Sequence, residues 1–129
     1  MFSMASADND KLIREFVGTF AKKDAAALAP FFAEDVVFVN YGEQPVRGRD
    51  AVVAVWAGVF GNFERVEFET LHQAVDGDVV LAEQVHGLSL PGGKLAPIRN
   101  MAVYEIAGGR IAAWRDYTDA AYAATLLQA

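Results

Sequence analysis

The fold is decided by the stretch RIAAWRDYTD, residues 110–119, which follows a Gly108-Gly109 turn and is typical of a β-strand. Side chains alternate between the faces of a strand, so Trp114, Asp116 and Thr118 share one face. Burying a carboxylate without a partner or a proton is costly. Asp116 is therefore either a surface residue, free or ion-paired with a nearby arginine, or a buried residue with a function.

Three further strands precede this one and are separated by turn sequences. They span residues 63–75, 79–90 and 94–106, with turns at Asp76-Gly77-Asp78, Pro91-Gly92-Gly93 and Ala107-Gly108-Gly109. Strands joined by short turns form hairpins, so an antiparallel sheet is predicted. At about 12 residues these strands are long, and long strands bend, so helices packed across them would enclose a cavity.

The first half of the chain is mainly helical. Apolar residues recur at helical spacing in residues 8–23, namely Leu12, Ile13, Phe16, Val17 and Phe20. A second short helix over 25–33 is interrupted by Pro30, residues 36–40 form a short strand, and 41–47 form a loop. Further helices are predicted at 49–60 and 120–127. Helices followed by hairpins indicate an α+β class, with a single domain over residues 1–129.

Composition limits the classes of partner. The 129 residues include 53% hydrophobic and 22% charged residues, which indicates a globular protein with one core. The net charge of −6, without a basic cluster, argues against nucleic acid and anionic membrane as partners. The absence of cysteine excludes disulfides and thiolate chemistry and fits a cytoplasmic location. The histidines His72 and His86 lack acidic partners at ligand spacing, so no metal site is predicted, and His72 is interpreted as structural.

Polar residues lie among apolar ones on one face of the predicted strands. This face carries Asn40, Gln84, His86, Asn100, Asp116 and Thr118 together with Phe38, Leu88, Ile98 and Trp114. Periodicity does not say which face points inward. If the faces converge, with Trp56 from the third helix, they form an apolar pocket with a few polar groups, typical of a small-molecule site. Taken singly, each polar residue also fits a satisfied or surface position, and both tryptophans fit the core.

The order of elements resembles the NTF2-like cone fold and, within it, the limonene-1,2-epoxide hydrolase family and its SnoaL-like polyketide-cyclase relatives. The stretches that carry the resemblance are FAED (32–35), GRDAV (48–52), ETLH (69–72) and IAAWRDY (111–117). The resemblance implies a strongly curved, largely antiparallel sheet, wrapped by three to four helices around an apolar pocket. It also implies a homodimer, which we expect to form through the outer face of the sheet, where Leu81, Val85, Met101 and Val103 lie.

Those hydrolases use an Asp–Arg–Asp triad, with a Tyr and an Asn that help to hold the attacking water. The resemblance places the water-activating Asp at Asp116 and the Asn at Asn40. Phe38 stands at the Tyr position, and Gln84 and His86 stand where the family has Arg and the second Asp. The bridging arginine is thus absent, and the acidic carboxyl is replaced by a histidine.

The sequence therefore predicts acid–base chemistry on a small apolar substrate, with no cofactor. Asp116 would take a proton from water or from carbon next to a carbonyl, and His86 would donate a proton to, or hydrogen-bond, the developing oxyanion. Asn40, Asn100 and Gln84 would orient water or substrate. This set suits epoxide hydrolysis and equally an isomerisation or aldol-type cyclisation. The alternative is a non-catalytic binding module, in which the polar residues form a structural network.

Overall fold

The computed structural model describes residues 4–128, with Met4 described by its backbone alone. The helices are α1 (Met4–Thr19), α2 (Arg49–Asn62) and α3 (Ala120–Leu127), and 3-10 turns span Phe20–Lys22 and Ala25–Phe31. The strands are β1 (Phe32–Asn40), β2 (Val46–Arg47), β3 (Arg65–Asp76), β4 (Val79–Ser89), β5 (Ala96–Ala107) and β6 (Arg110–Tyr117).

Within the described residues these strands form one six-stranded sheet in the order β2-β1-β6-β5-β4-β3. Strand β1 runs parallel to β6, and the other neighbouring strands are antiparallel. The pairing register shifts between Thr70 and His72 in β3 and between Glu105 and Ile106 in β5. Such bulges increase twist and bend a strand. The α+β class and the largely antiparallel, curved sheet predicted from the sequence are thus confirmed.

The core lies between the concave face of this sheet and helices α1 and α2. Phe16 of α1 is fully buried and contacts Trp114 of β6 edge-to-face, with ring centroids 5.2 Å apart. Phe20 likewise contacts Trp56 of α2 edge-to-face at 5.0 Å. Aromatic pairs in this geometry contribute about 0.5–1.5 kcal/mol beyond the burial of their area. This aromatic core fixes the inner face of β6, and with it the inward direction of Asp116.

The structure changes several predicted boundaries. The predicted helix over 25–33 is a 3-10 turn, Ala25–Phe31, because Pro30 has no amide hydrogen for an α-helical bond. Strand β1 starts at Phe32 rather than at residue 36, and the predicted loop 41–47 contains β2, which pairs with β1. Helix α1 starts before residue 8 and gives way to a 3-10 turn at Phe20.

The outer face of the sheet carries the four apolar residues that the sequence placed there. Leu81 is 38% exposed and Met101 is 43% exposed, whereas Val85 and Val103 are half-buried. Charged residues share the face, including Arg115, which pairs with Glu105. None of the helices in the described part of the chain is long and apolar enough to cross a membrane.

Candidate active site

A cavity of about 400 Å³ lies between the concave sheet face, α2 and α3. Its apolar lining consists of Phe38, Val55, Trp56, Val59, Phe63, Phe68, Leu88, Ile98, Ala120, Ala123, Ala124 and Leu127. Its polar lining consists of Asn40, Glu43, His86, Asp116 and Thr118. A largely apolar cavity that contains a few polar groups is typical of a small-molecule site.

The structure brings most of the predicted site residues to this cavity. Asp116, His86, Asn40, Phe38, Ile98, Thr118 and Trp56 line it. Gln84, Asn100 and Trp114 do not: they are 1–2% exposed and lie behind the lining, where they hydrogen-bond to it. These three were expected to contact the substrate, and their placement instead supports the side chains that face it. The reason is the length of β4, β5 and β6, whose inner faces extend past the cavity into the core.

Asp116 is held by two hydrogen bonds to one of its carboxylate oxygens. Oδ1 accepts from Trp114 Nε1 at 2.8 Å and from Asn100 Nδ2 at 3.0 Å. Within the described residues Oδ2 has no hydrogen-bond partner, although Asp116 is only 4% exposed. Because Asp116 lines the cavity, Oδ2 is the oxygen available to a ligand.

Burial raises the pKa of Asp116 to about 6, and the hydrogen bonds from Asn100 and Trp114 offset part of that increase by lowering the pKa. A carboxyl in an apolar site loses the hydration that stabilises its charge, whereas donors to the charged form restore some of it. A pKa near the working pH is what a general base requires. Asp116 can therefore exchange a proton with a ligand near neutrality.

The hydrogen bonds behind the lining assign the amide orientations and the tautomer of His86. Asn100 Oδ1 accepts from Thr118 Oγ1 at 2.8 Å, and its Nδ2 donates to Asp116, which can only accept when ionised. Nδ2 of Asn100 also lies 3.2 Å from the Gln84 side chain, which must present its oxygen there. That same Oε1 lies 2.7 Å from His86 Nε2, so His86 carries its hydrogen on Nε2.

His86 is consequently a hydrogen-bond acceptor toward the cavity. Its Nε2–H is directed to Gln84, which leaves the lone pair of Nδ1 for a ligand. Burial lowers the pKa of His86 to about 3, so the ring stays neutral, and it stacks on Phe68 with centroids 3.8 Å apart. His86 was predicted to donate a proton to the developing oxyanion or to hydrogen-bond it, and with its only N–H directed to Gln84 it has no hydrogen to offer for either role.

Asn40 and Asp116 are register partners in the parallel pair of β1 and β6. The backbone amide of Tyr41 donates to the carbonyl of Asp116 at 2.8 Å, which continues this pairing beyond the end of β1. Oδ1 of Asn40 accepts from the Thr118 amide at 3.5 Å, and the Asn40 side-chain NH2, beside Asp116, has no partner among residues 4–128. The position that the family resemblance assigned to Asn40 is therefore beside the carboxylate.

Several lining residues were not predicted from the sequence. They are Glu43, Val55, Val59, Phe63, Phe68 and the α3 residues Ala120, Ala123, Ala124 and Leu127. Helical spacing from Trp56 could have identified Val59. The α3 residues depend on how that helix closes over β5, which periodicity does not encode. Tyr104 was also not predicted. It lies behind the lining, where its hydroxyl oxygen accepts a hydrogen bond from Gln84 Nε2 at 3.1 Å. Burial, and to a smaller extent the negative charge of Asp116, raises the pKa of Tyr104.

His72 lies outside this site. Its side chain is on the exposed side of β3, where Nδ1 is 2.9 Å from a carboxylate oxygen of Glu83 on β4. It has no contact with the cavity lining described above. The structural interpretation of His72 agrees with this surface pairing.

Solved structures similar to this chain share its fold. An LEH-like epoxide hydrolase of M. tuberculosis is 23% identical with a TM-score of 0.83, over 95% of this chain and 91% of that chain. A protein described as a SnoaL-like polyketide cyclase, from Jannaschia sp. CCS1, is 18% identical with a TM-score of 0.84, over 98% and 96%. SalBIII, an epoxide hydrolase/cyclase-like enzyme of pyran ring formation in salinomycin, is 18% identical with a TM-score of 0.78, over 88% and 92%.

These similarities confirm the NTF2-like fold that the sequence predicted. In addition, residues 13–114 match the family model of the SnoaL-like domain. That match extends from the first core helix to the tryptophan beside Asp116. Because it covers well over half of the chain, the protein belongs to the SnoaL-like domain family.

Proposed function

We propose that this protein is a cofactor-free acid–base enzyme in which Asp116 removes a proton from carbon next to a carbonyl group and returns it elsewhere. The reaction class is isomerisation or cyclisation of a small, largely apolar ketone. The observation that carries the proposal is the unpartnered Oδ2 of Asp116 at the cavity, on a carboxyl whose pKa burial raises to about 6. Such a group can act first as base and then as acid.

The hydrogen bonds of His86 favour a mechanism in which one residue, Asp116, both removes and returns the proton. Epoxide hydrolysis by water needs a base for the water and, at the same time, an acid for the epoxide oxygen. His86 offers a lone pair instead of a proton, and Glu43 is exposed rather than enclosed with Asp116. An isomerisation needs one group that takes a proton and gives it back, and Asp116 meets that need alone.

Epoxide hydrolysis is the second candidate, favoured by the position of Asn40. Its free NH2 group lies beside Asp116, and the pair could hold and activate one water molecule. The LEH-like epoxide hydrolase that shares the fold makes this chemistry relevant to the cavity. The alkoxide would then take its proton from Asp116 itself after attack, which predicts a slow hydrolase.

A non-catalytic binding module is the third candidate. The Gln84–His86–Asn100–Asp116 network would then serve only to close the cavity. An ionised carboxylate without a cationic partner is an expensive way to do that, whereas strongly perturbed carboxyls are common in active sites. We therefore place the enzyme first.

The wider proposal concerns partners and location. The ligand is a small, mostly apolar molecule, with neither nucleic acid nor membrane as partner, and the protein acts in the cytoplasm.

The half-apolar outer face around Leu81 and Met101 would pair with a second copy of the chain. Sedimentation of wild type and Met101→Lys would test this, since a charge at the centre of that face should favour the monomer.

One incubation series in isotopic water separates the three functions. Wild type and Asp116→Asn are offered cyclic β,γ-enones and cyclic epoxides in deuterated, oxygen-18 water, and products are followed by mass spectrometry. Conjugated enone carrying deuterium at carbon, formed by wild type alone, supports the isomerase. Oxygen-18 diol formed by wild type alone supports the hydrolase. Binding of the panel without turnover by either protein supports the binding module.

A further inference from the structure

Trp56, a residue of the cavity lining, carries an enclosed and unsatisfied hydrogen-bond donor. The residue lies on α2, lines the cavity and is 7% exposed. Its indole Nε1 is enclosed and has no hydrogen-bond partner within the described residues. The other tryptophan, Trp114, has its Nε1–H bound to Asp116 at 2.8 Å. Buried indole N–H groups usually find a partner, so the exception calls for an acceptor other than the residues that the structure describes.

The surroundings of Trp56 explain why no protein acceptor is near. Its ring lies among Phe20, Phe38, Phe60, Phe68 and Trp114, with centroid distances from 5.0 to 6.2 Å. Aromatic rings provide at most a weak acceptor for an N–H group. A phenylalanine would leave no polar group unpaired, although its smaller ring would fill less of the space. The unpaired N–H is thus a cost of the indole at this position, which its larger buried area or a ligand acceptor must offset.

Trp56 also has a fixed relation to the carboxylate. Its ring stacks on that of Trp114 with centroids 5.3 Å apart and an interplanar angle of 12°. Trp114 in turn holds Asp116 by its own indole nitrogen. The stacked indoles therefore connect the unsatisfied N–H of Trp56 to the carboxylate of Asp116, and both residues belong to the lining of one cavity.

We propose that Trp56 Nε1–H donates a hydrogen bond to the oxygen atom of the ligand, which makes a ketone oxygen the specificity-determining group for this cavity. The inference rests on the proposed isomerase function for the position of the reacting carbon. Among the described residues the Asn40 amide is a second donor of the lining without a partner, and it is half-buried beside Asp116, where it would contact the reacting carbon. Trp56 instead serves the enclosed end among the aromatic rings.

The chemistry of an indole fits this division of roles. Its N–H donates a hydrogen bond but does not transfer its proton near neutrality, because it is donor-only and far too weak an acid. It would stabilise negative charge on an enolate oxygen without quenching it. The proton removed by Asp116 would then return to carbon from Asp116, so the double bond moves and no atoms are gained or lost.

The test uses the fact that the chain has two tryptophans. A protein labelled with nitrogen-15 in its indoles gives two Nε1–H signals, and Trp56→Phe assigns them by deleting one. Wild type is titrated with cyclohexanone and with methylenecyclohexane, which has nearly the same shape but a CH2 group in place of the oxygen. Binding of both probes is measured by calorimetry.

We expect the Trp56 signal to move downfield with cyclohexanone and not with methylenecyclohexane. Trp56→Phe should bind cyclohexanone on the order of tenfold more weakly and methylenecyclohexane equally well, as expected for loss of one hydrogen bond. Equal shifts with both probes, or unchanged cyclohexanone affinity in Trp56→Phe, would overturn the proposal and leave the N–H facing an aromatic ring. Because neither readout involves turnover, a shift in a protein that isomerises nothing would uphold the role of Trp56 and reject the isomerase.

Discussion

The indole nitrogen of Trp114 lies 2.8 Å from Oδ1 of Asp116, two residues further along the same strand. Residues i and i+2 share a strand face, so this bond is built into the local sequence once that face is buried. It fixes which carboxylate oxygen faces the protein and which faces the cavity. The predictions below depend on that division.

Asp116→Asn should abolish activity while leaving the fold intact or more stable. An asparagine keeps an oxygen to accept from Trp114 and Asn100 but cannot take up a proton. We expect turnover to fall by roughly 10²–10⁴-fold, as for loss of a general base. Removing a buried charge should raise the free energy of unfolding at pH 8, by up to about 3 kcal/mol given the elevated pKa.

Asp35→Asn provides the matched control for this change. Asp35 is exposed on β1 and does not line the cavity, so its replacement removes the same charge outside the site. It should change neither turnover nor the melting temperature by a measurable amount. If Asp116→Asn lowers the melting temperature and keeps activity, the carboxylate is structural.

The rate of the wild-type enzyme should depend on pH through Asp116. Its pKa is raised to about 6, so the carboxylate form required of a base accumulates as the pH rises through that value. We expect kcat/KM to increase about tenfold per pH unit below 6 and to level off above it. A profile measured from pH 4.5 to 8.5 checks this, and a flat profile over that range would exclude Asp116 as the base.

Asn100→Leu should shift that profile toward higher pH. The Asn100 amide lowers the pKa of Asp116 by donating to its charged form, so its loss should move the inflection above 6. Stability should fall by about 1–3 kcal/mol, since Thr118 and Gln84 lose a partner. Arg99→Leu, one residue earlier and exposed on the outer side, is the control that should leave the inflection unchanged.

The sequence was sufficient to predict the sheet and the residues that share its polar face, whereas only the family resemblance indicated that this face points inward. Alternation in residues 110–119 and the turn glycines determine the strands, and Gly77 and Gly108 adopt positive φ angles of 59° and 58° in two of the hairpin turns. The same alternation put Asp116, His86 and Asn100 together, because β4, β5 and β6 are neighbours in register. Alternation along strands that pair in register therefore predicts which side chains lie close together in the folded protein.

The chemical roles of the site residues were harder to predict than which residues form the site. Whether His86 donates or accepts depends on Gln84 and Asn100, whose orientations follow from Thr118 and the charge of Asp116. A chain of hydrogen bonds across three strands has no signature in any one segment. Likewise, whether the segment before β1 forms an α-helix or a 3-10 turn depends on the local effect of Pro30, which the spacing of apolar residues does not describe.

Ala124→Leu should narrow the cavity without disturbing the fold. Ala124 lines the cavity from α3 and is exposed on its other side, and leucine is nearly as good a helix former as alanine. We expect KM for bicyclic substrates to rise by about tenfold or more, with little change for monocyclic ones. Ala121→Leu, on the same helix but absent from the lining, should leave both values unaltered.

Stability should respond to pH through two buried groups of opposite sign. Between pH 4 and 6 folded Asp116 holds a proton that the unfolded chain has lost, so its contribution to stability falls as the pH rises. Between pH 3 and 6.5 folded His86 lacks a proton that the unfolded chain holds, so its contribution rises with pH. Within pH 4–6 the two slopes cancel in the wild type.

Replacing either residue should therefore reveal the pH dependence of stability that the other one causes. Asp116→Asn should lose stability on acidification from pH 6 to 4 more steeply than wild type, by about 1.4 kcal/mol per pH unit. His86→Phe, which keeps a ring against Phe68, should gain relative to wild type over the same interval. Denaturant unfolding at half-unit steps of pH measures both differences. Parallel curves for the three proteins would mean that neither group is held in the folded state with the charge assigned to it above.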